Sequence, residues 1–129
     1  MATHLTTDEM KAIVRRHFDD FVNNRKAEVI QRNMTADFLD HDGPGGKPVG
    51  SAEDEAMMRE MYERLPGIRV TIDGMIAEGD RVVCRNVWRW NDATSGTPTE
   101  FRGFVEWRFE GDKIAERWAT VTSPRAVPR

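Results

Sequence analysis

The order of the apolar patterns along this chain predicts an α+β domain, with N-terminal helices covering one face of an antiparallel sheet. Three observations predict it. Between Met10 and Val22 the apolar residues recur at helical spacing. From Ile68 onward the period changes to two, as in half-buried strands. Between these halves lies the stretch Asp40 to Gly50, whose four glycines and two prolines suit neither element.

Taken in order, residues 1–5 read as a loose terminus. Thr6 and Glu9 form a capping box, in which hydroxyl and carboxylate each satisfy the other's backbone amide. Met10, Ile13, Val14, His17, Phe18, Phe21 and Val22 then define an amphipathic helix of about 17 residues, ended by Asn23-Asn24-Arg25. A shorter helix is expected from Ala27 to Asn33, and a short edge strand near Phe38. After the irregular loop, Ser51 starts a third helix with Asp54 as its capping partner. Met57, Met58, Met61, Tyr62 and Leu65 form its apolar face, and Pro66-Gly67 stops it.

Ile68 to Trp90 reads as a hairpin turning at Glu78-Gly79-Asp80. Ile68, Val70 and Ile72 lie on its inner side, then Val82, Cys84, Asn86, Trp88 and Trp90. The loop Asn91 to Pro98 leads to a strand from Glu100 to Phe109. A turn at Glu110 to Lys113 leads to a last strand, Ile114 to Val121, with Ile114 and Trp118 on one side. Gly74 and Gly103 suit a bend or bulge. The tail from Ser123 to Arg129 is expected to fray.

The chain has 129 residues, one domain's worth of sequence, with 19 basic and 22 acidic residues and a net charge of −3. No basic block marks a nucleic-acid face, and no apolar run reaches the roughly 20 residues of a membrane helix. The N-terminus lacks a signal-peptide layout, so a cytoplasmic protein is expected. Cys84, the single cysteine, reads as a small buried hydrophobe. No phosphate loop, dinucleotide motif or metal-ligand spacing is present. No cofactor or metal is therefore expected.

Several segments together resemble a known family: FVNNR ending the first helix, ADFLDHDGPGG, LPGIRVTIDGMIAEGDRVVCR, and FRGFVEWRFEGDKIAERW. They are similar to the SnoaL-like polyketide cyclases of the nuclear-transport-factor-2-like superfamily. The resemblance runs from about Asp8 to Val121 of a single domain spanning 1–129. It implies a cone: a strongly bent antiparallel sheet closed by three helices around an apolar pocket, usually in a homodimer. Cyclases of this group close rings by acid/base chemistry without a cofactor. The resemblance puts their acid at the position of Ala119 and a second polar pocket residue at Val105. Neither side chain can carry a proton.

The remaining candidates are Asp40, His41 and Asp42 at the pocket mouth. His41 titrates near neutrality when unperturbed, and a flanking carboxylate could raise its basicity. It then reads as a base abstracting a proton α to a carbonyl, or as a residue capping a solvated turn. The expected ligand wall is Phe18, Phe21, Met58, Trp88, Phe101, Val105, Trp107, Trp118 and Ala119. Phe18 and Phe21 read also as core, some of the tryptophans as core or dimer interface, and His17 as a satisfied core or edge histidine.

Three functions follow as expectations. One is a cofactor-independent cyclase or isomerase acting on a small hydrophobic, polyketide-like carbonyl compound, with His41 as base. The second is a non-catalytic binder of such a molecule. The third is a dimerising accessory module whose exposed sheet face, rich in residues such as Phe104, recruits partners.

Overall fold

The computed structural model describes residues 2–128; the ends of the expected loose terminus and frayed tail, Met1 and Arg129, lie outside the described residues. Helix α1 (Thr7–Phe18) starts at the capping box, with Glu9 N donating to Thr6 Oγ1 at 3.1 Å and Thr6 N to Glu9 Oε1 at 2.9 Å. It continues as a wider turn over Asp19–Asn23, in which Asn24 N donates to Asp19 O, five residues back. The extra residue per turn brings Phe21 against His17, with ring centroids 5.0 Å apart. Asn23 then grips a segment 47 residues further on, accepting from Val70 N at 2.7 Å and donating to Val70 O at 3.1 Å.

Helix α2 is shorter than expected, Val29–Asn33, and runs into strand β1 (Met34–Asp40), the edge strand anticipated near Phe38. Helix α3 (Ser51–Arg64) follows the glycine-rich loop. Its cap differs from the expected Ser51–Asp54 pair. Gly50 is the capping position, and Glu53 Oε2 accepts from its amide at 3.1 Å. Asp54 is thereby released to turn inward and is 3 % exposed.

Strands β2 (Arg69–Glu78), β3 (Arg81–Asn91), β4 (Pro98–Glu110) and β5 (Lys113–Val121) pair antiparallel in the order β5-β4-β3-β2, and β1 adds parallel to β5. Beyond the end of β5, the expected loose tail instead forms β6 (Arg125–Ala126) beside β4. Arg125 reaches the buried Glu100 carboxylate at 2.9 Å and anchors it there. Among the described residues no helix is long and apolar enough to cross a membrane.

The inward face of the sheet and the helices share one core, built on Met10, Val14, Ile30, Val82, Cys84, Val105, Trp107, Phe109 and Ile114. Burial pushes the Cys84 thiol up to about 12, which leaves it inert at neutral pH. Two bulges decide which residues face that core. Between Ile72 and Gly74, Asp73 is left without a partner on β3, so Met75 and Ala77 pair inside with Cys84 and Val82, while Ile76 is left outside and exposed. On β5, Glu116 pairs with Arg108 but Ile114 with Phe109, so Ala115 is the extra residue. At Gly103 β4 leaves no room for a side chain against β5: a Cβ there would sit 2.1 Å from Thr120 O.

Candidate functional site

Between the sheet and the helices lies a cavity of about 220 Å³. Its walls are mainly apolar: Phe18, Phe21 and Val22 from the first helix and its wide turn, Ile30 from α2, Met34 and Phe38 from β1, and Met57, Met58 and Met61 from α3. Trp88, Phe101 and Trp107 come from the sheet. Five polar side chains interrupt this lining: His17, Asp40, Asp42, Asp54 and Arg117.

The backbone fixes Asp40 from both sides. It pairs with Arg117 of β5 across the parallel ladder, and Asp40 and Val49 exchange two backbone hydrogen bonds at 2.8 and 2.9 Å. Its carboxylate is 1 % exposed as a residue and accepts from Arg117 Nη1 at 3.0 Å (Oδ2) and 3.1 Å (Oδ1). The Asp42 amide donates to Oδ1 at 2.9 Å. The Asp42 carboxylate is spent on structure, accepting from Ala119 N at 2.8 Å. Arg117 also lies over the Trp107 ring, 5.6 Å from its centroid.

Asp54 approaches the same place from the first turn of α3. A helix start favours negative charge by roughly 0.3–1 kcal/mol, yet two larger effects oppose it. Burial removes water from the carboxylate, and Asp40 is an acid neighbour within hydrogen-bonding reach. Together they raise the Asp54 carboxyl to about 8. Its Oδ1 is enclosed with no donor among the described residues. A proton carried by Asp54 itself, offered to Asp40, is what this arrangement satisfies. Asp54 thus holds its proton to higher pH than an ordinary carboxyl, beside the Asp40 side chain that Arg117 pairs.

The model of the SnoaL-like domain matches residues 14–117 of the sequence. The chain belongs to the SnoaL-like domain family. Solved structures agree on the fold of this SnoaL-like domain. The candidate polyketide cyclase IdmH from Streptomyces antibioticus superposes with a TM-score of 0.78 at 18% identity, over 86% of this chain and 90% of that one. The candidate hydroxylase AclR from Streptomyces galilaeus gives 0.80 at 19%, over 91% and 81%. An LEH-like epoxide hydrolase from M. tuberculosis gives 0.72 at 15%, over 90% and 84%. No functionally curated protein matches the sequence.

Of the residues singled out in the sequence, the structure places Phe18, Phe21, Met58, Trp88, Phe101, Trp107, Ala119, Asp40 and Asp42 on the cavity of this SnoaL-like domain. Val105 is fully buried in the core beside it but is not part of the cavity wall. His41 and Trp118 face away. His41 Nε2 meets Glu116 Oε2 at 2.7 Å, its ring stacks on Trp118 at 4.7 Å, and Glu116 continues to Arg108 at 2.5 Å. The His41 contact, and then Arg108, hold the Glu116 carboxyl below the usual carboxylate range. His41 thus belongs to a network outside the cavity, and the role of proton carrier expected for it does not fit this geometry. The Ala115 bulge is the reason Trp118 is misassigned. It breaks the alternation that links Ile114 to Trp118, sending Arg117 inward and Trp118 out.

Sequence reasoning missed Asp54, Arg117 and the cavity role of His17. Asp54 carried a legible signal. It stands four residues before Met58 and eight before Tyr62, a charged residue on the apolar stripe of a helix. Arg117 carried none, because its inward direction depends on the bulge.

Proposed function

We propose that this cavity is the active site of a cofactor-independent acid/base enzyme of the cyclase or isomerase type, acting on a small, largely apolar carbonyl compound. The observation that carries this reading is the Asp54 carboxyl, raised to about 8 beside Asp40, inside an apolar enclosure. Asp40 takes the proton α to the carbonyl while Asp54 gives its own proton to the carbonyl oxygen. The product is an enol, and the number of protons shared by site and substrate is unchanged. The enol then attacks a second carbonyl, closing a ring, or is reprotonated elsewhere, moving a double bond. Arg117 holds Asp40 in place and offsets its charge. Solved structures of this fold named as polyketide cyclases and as an epoxide hydrolase support a cavity used for small molecules.

Deuterium exchange at the α-carbon of β-tetralone, a compact apolar ketone, tests the reading. The wild-type protein is expected to accelerate exchange, and Asp40→Asn and Asp54→Asn to reduce it about 100-fold or more. His41→Ala is expected to leave it unchanged. Loss of exchange in His41→Ala with retention in Asp40→Asn would overturn the assignment.

A second reading, a non-catalytic binder of the same fold, is favoured by Ala119, which lines the cavity where the family resemblance expects an acid. Tight β-tetralone binding without exchange would select it. We further propose that the protein pairs with a second copy of itself through the outer sheet face, where Phe104 is 56% exposed and Val83 36%.

A further inference from the structure

We propose that His17 is a ligand-orienting group of the cavity: a neutral imidazole whose Nε2–H donates a hydrogen bond to an uncharged oxygen of the bound molecule. Three features of the structure lead there. His17 is 2 % exposed and lines the cavity, so what remains open of its ring faces the ligand space. Its Nδ1 is occupied: Asn33 Nδ2 lies 3.0 Å away. An amide nitrogen can only donate, so Nδ1 accepts and the ring proton of the neutral form sits on Nε2. Nε2 has no partner among the described residues, yet it is not among the enclosed unpaired polar atoms of the protein. It is a free donor at the cavity wall.

The surroundings keep this donor uncharged and fixed. The ring stacks on Phe21 and stands edge-on to Trp107, with centroids 5.0 and 5.5 Å away. Burial, with Arg117 as a further opposing charge, lowers its pKa to about 3; Asp20 works weakly the other way. A neutral N–H with aromatic rings on two sides favours an uncharged acceptor and gives no ion-pairing advantage to a carboxylate. The substrate class of the proposed enzyme narrows accordingly to compounds whose oxygens are carbonyl, hydroxyl or ether, without a negative charge at this end. Asn33 acts through the ring as a positioning residue, because its amide selects the tautomer.

This inference rests on the cavity being a ligand site, and not on turnover. Nitrogen-15 NMR of the wild-type protein gives the direct test. Across about pH 5 to 8, His17 is expected to stay neutral with its proton on Nε2, with coupling through the hydrogen bond from Asn33 Nδ2 to Nδ1. A ring that titrates near its ordinary value, or carries its proton on Nδ1, overturns the proposal without any variant needing to fold.

Binding gives the second test. β-Tetralone and its methylidene analogue have nearly the same shape, but only the ketone accepts a hydrogen bond. The wild type is expected to bind the ketone about tenfold more tightly, as one net hydrogen bond allows. His17→Phe should reduce that ratio several-fold, leaving only what the Asp54 carboxyl contributes, and His17→Gln, whose amide can still donate, should restore most of it. An unchanged ratio in His17→Phe, or equal affinities in the wild type, overturns the proposal. Failure of the acid/base reading looks different: exchange unchanged in Asp54→Asn while the binding ratio persists.

Discussion

Asp54 and His17 are two buried titratable groups whose pKa values are displaced in opposite senses, and the pH dependence of stability should reveal both. Asp54 is raised from 3.8 to about 8. Between these values the folded protein keeps a proton that the unfolded chain releases. Its stabilising contribution is complete below about pH 4 and is lost as pH rises through about 8. His17 is lowered from 6.5 to about 3. The unfolded chain takes up a proton that the folded state refuses, so stability is lost as pH falls below about 6.5. The two slopes oppose each other between about pH 4 and 6.5. Above that, Asp54 acts alone. We expect the thermal midpoint to fall between about pH 6.5 and 8.5, and Asp54→Asn to remove most of that fall, a difference on the order of a few kcal/mol. Thermal unfolding followed across that range checks it. Asp40→Asn should behave differently. It leaves Arg117 half-buried without its carboxylate, so stability should drop by about 3 kcal/mol in urea titrations.

At the scale of elements, the site depends on how β5 is delivered to its neighbours. The parallel pairing of β1 with β5 sets Asp40 beside Arg117, and the Ala115 bulge turns Arg117 to the cavity side. The contact of β5 with β4 is in turn limited at Gly103. A methyl group there would meet Thr120 O at 2.1 Å and Val121 Cα at 2.7 Å, both backbone atoms that cannot rotate away. Gly103→Ala should therefore force the strands apart and cost about 1–3 kcal/mol, read as a lower urea midpoint. Because Ala119 and Val121 lie on this stretch of the cavity wall, the same variant should weaken β-tetralone binding. The bulges themselves left no unambiguous mark in the sequence. Gly74 and Gly103 hinted at distortion, but nothing in Lys113 to Val121 shows that one residue steps out of the alternation.

On the scale of the whole molecule, the two faces of the sheet have separate tasks. The inner face closes the core and the cavity. The outer face carries Arg81, Glu106, Arg108 and Glu116 in cross-strand ion pairs, with Phe104 and Val83 exposed among them. Ion pairs around exposed apolar residues suit an interface between copies. Light scattering should show a dimer at micromolar concentration, and Phe104→Asp should shift it to monomer while leaving deuterium exchange intact. A monomeric wild type would remove the interface.

The sequence by itself determined the class and order of elements, because periodicity, caps and turn residues are local signals that neighbours in the chain can express. The capping box at Thr6, the amphipathic run to Val22 and the alternating strands from Ile68 all reappear in the structure. It also marked much of the apolar cavity wall, since large residues on inward positions have few other places to go. Only the tertiary structure decided the chemistry. Whether Asp54, Arg117 and His17 meet a ligand depends on a cap shifted from Ser51 to Gly50, a bulge at Ala115 and an amide on a different helix. Each is a contact or register choice settled by packing between segments far apart in sequence, where no local pattern can record it.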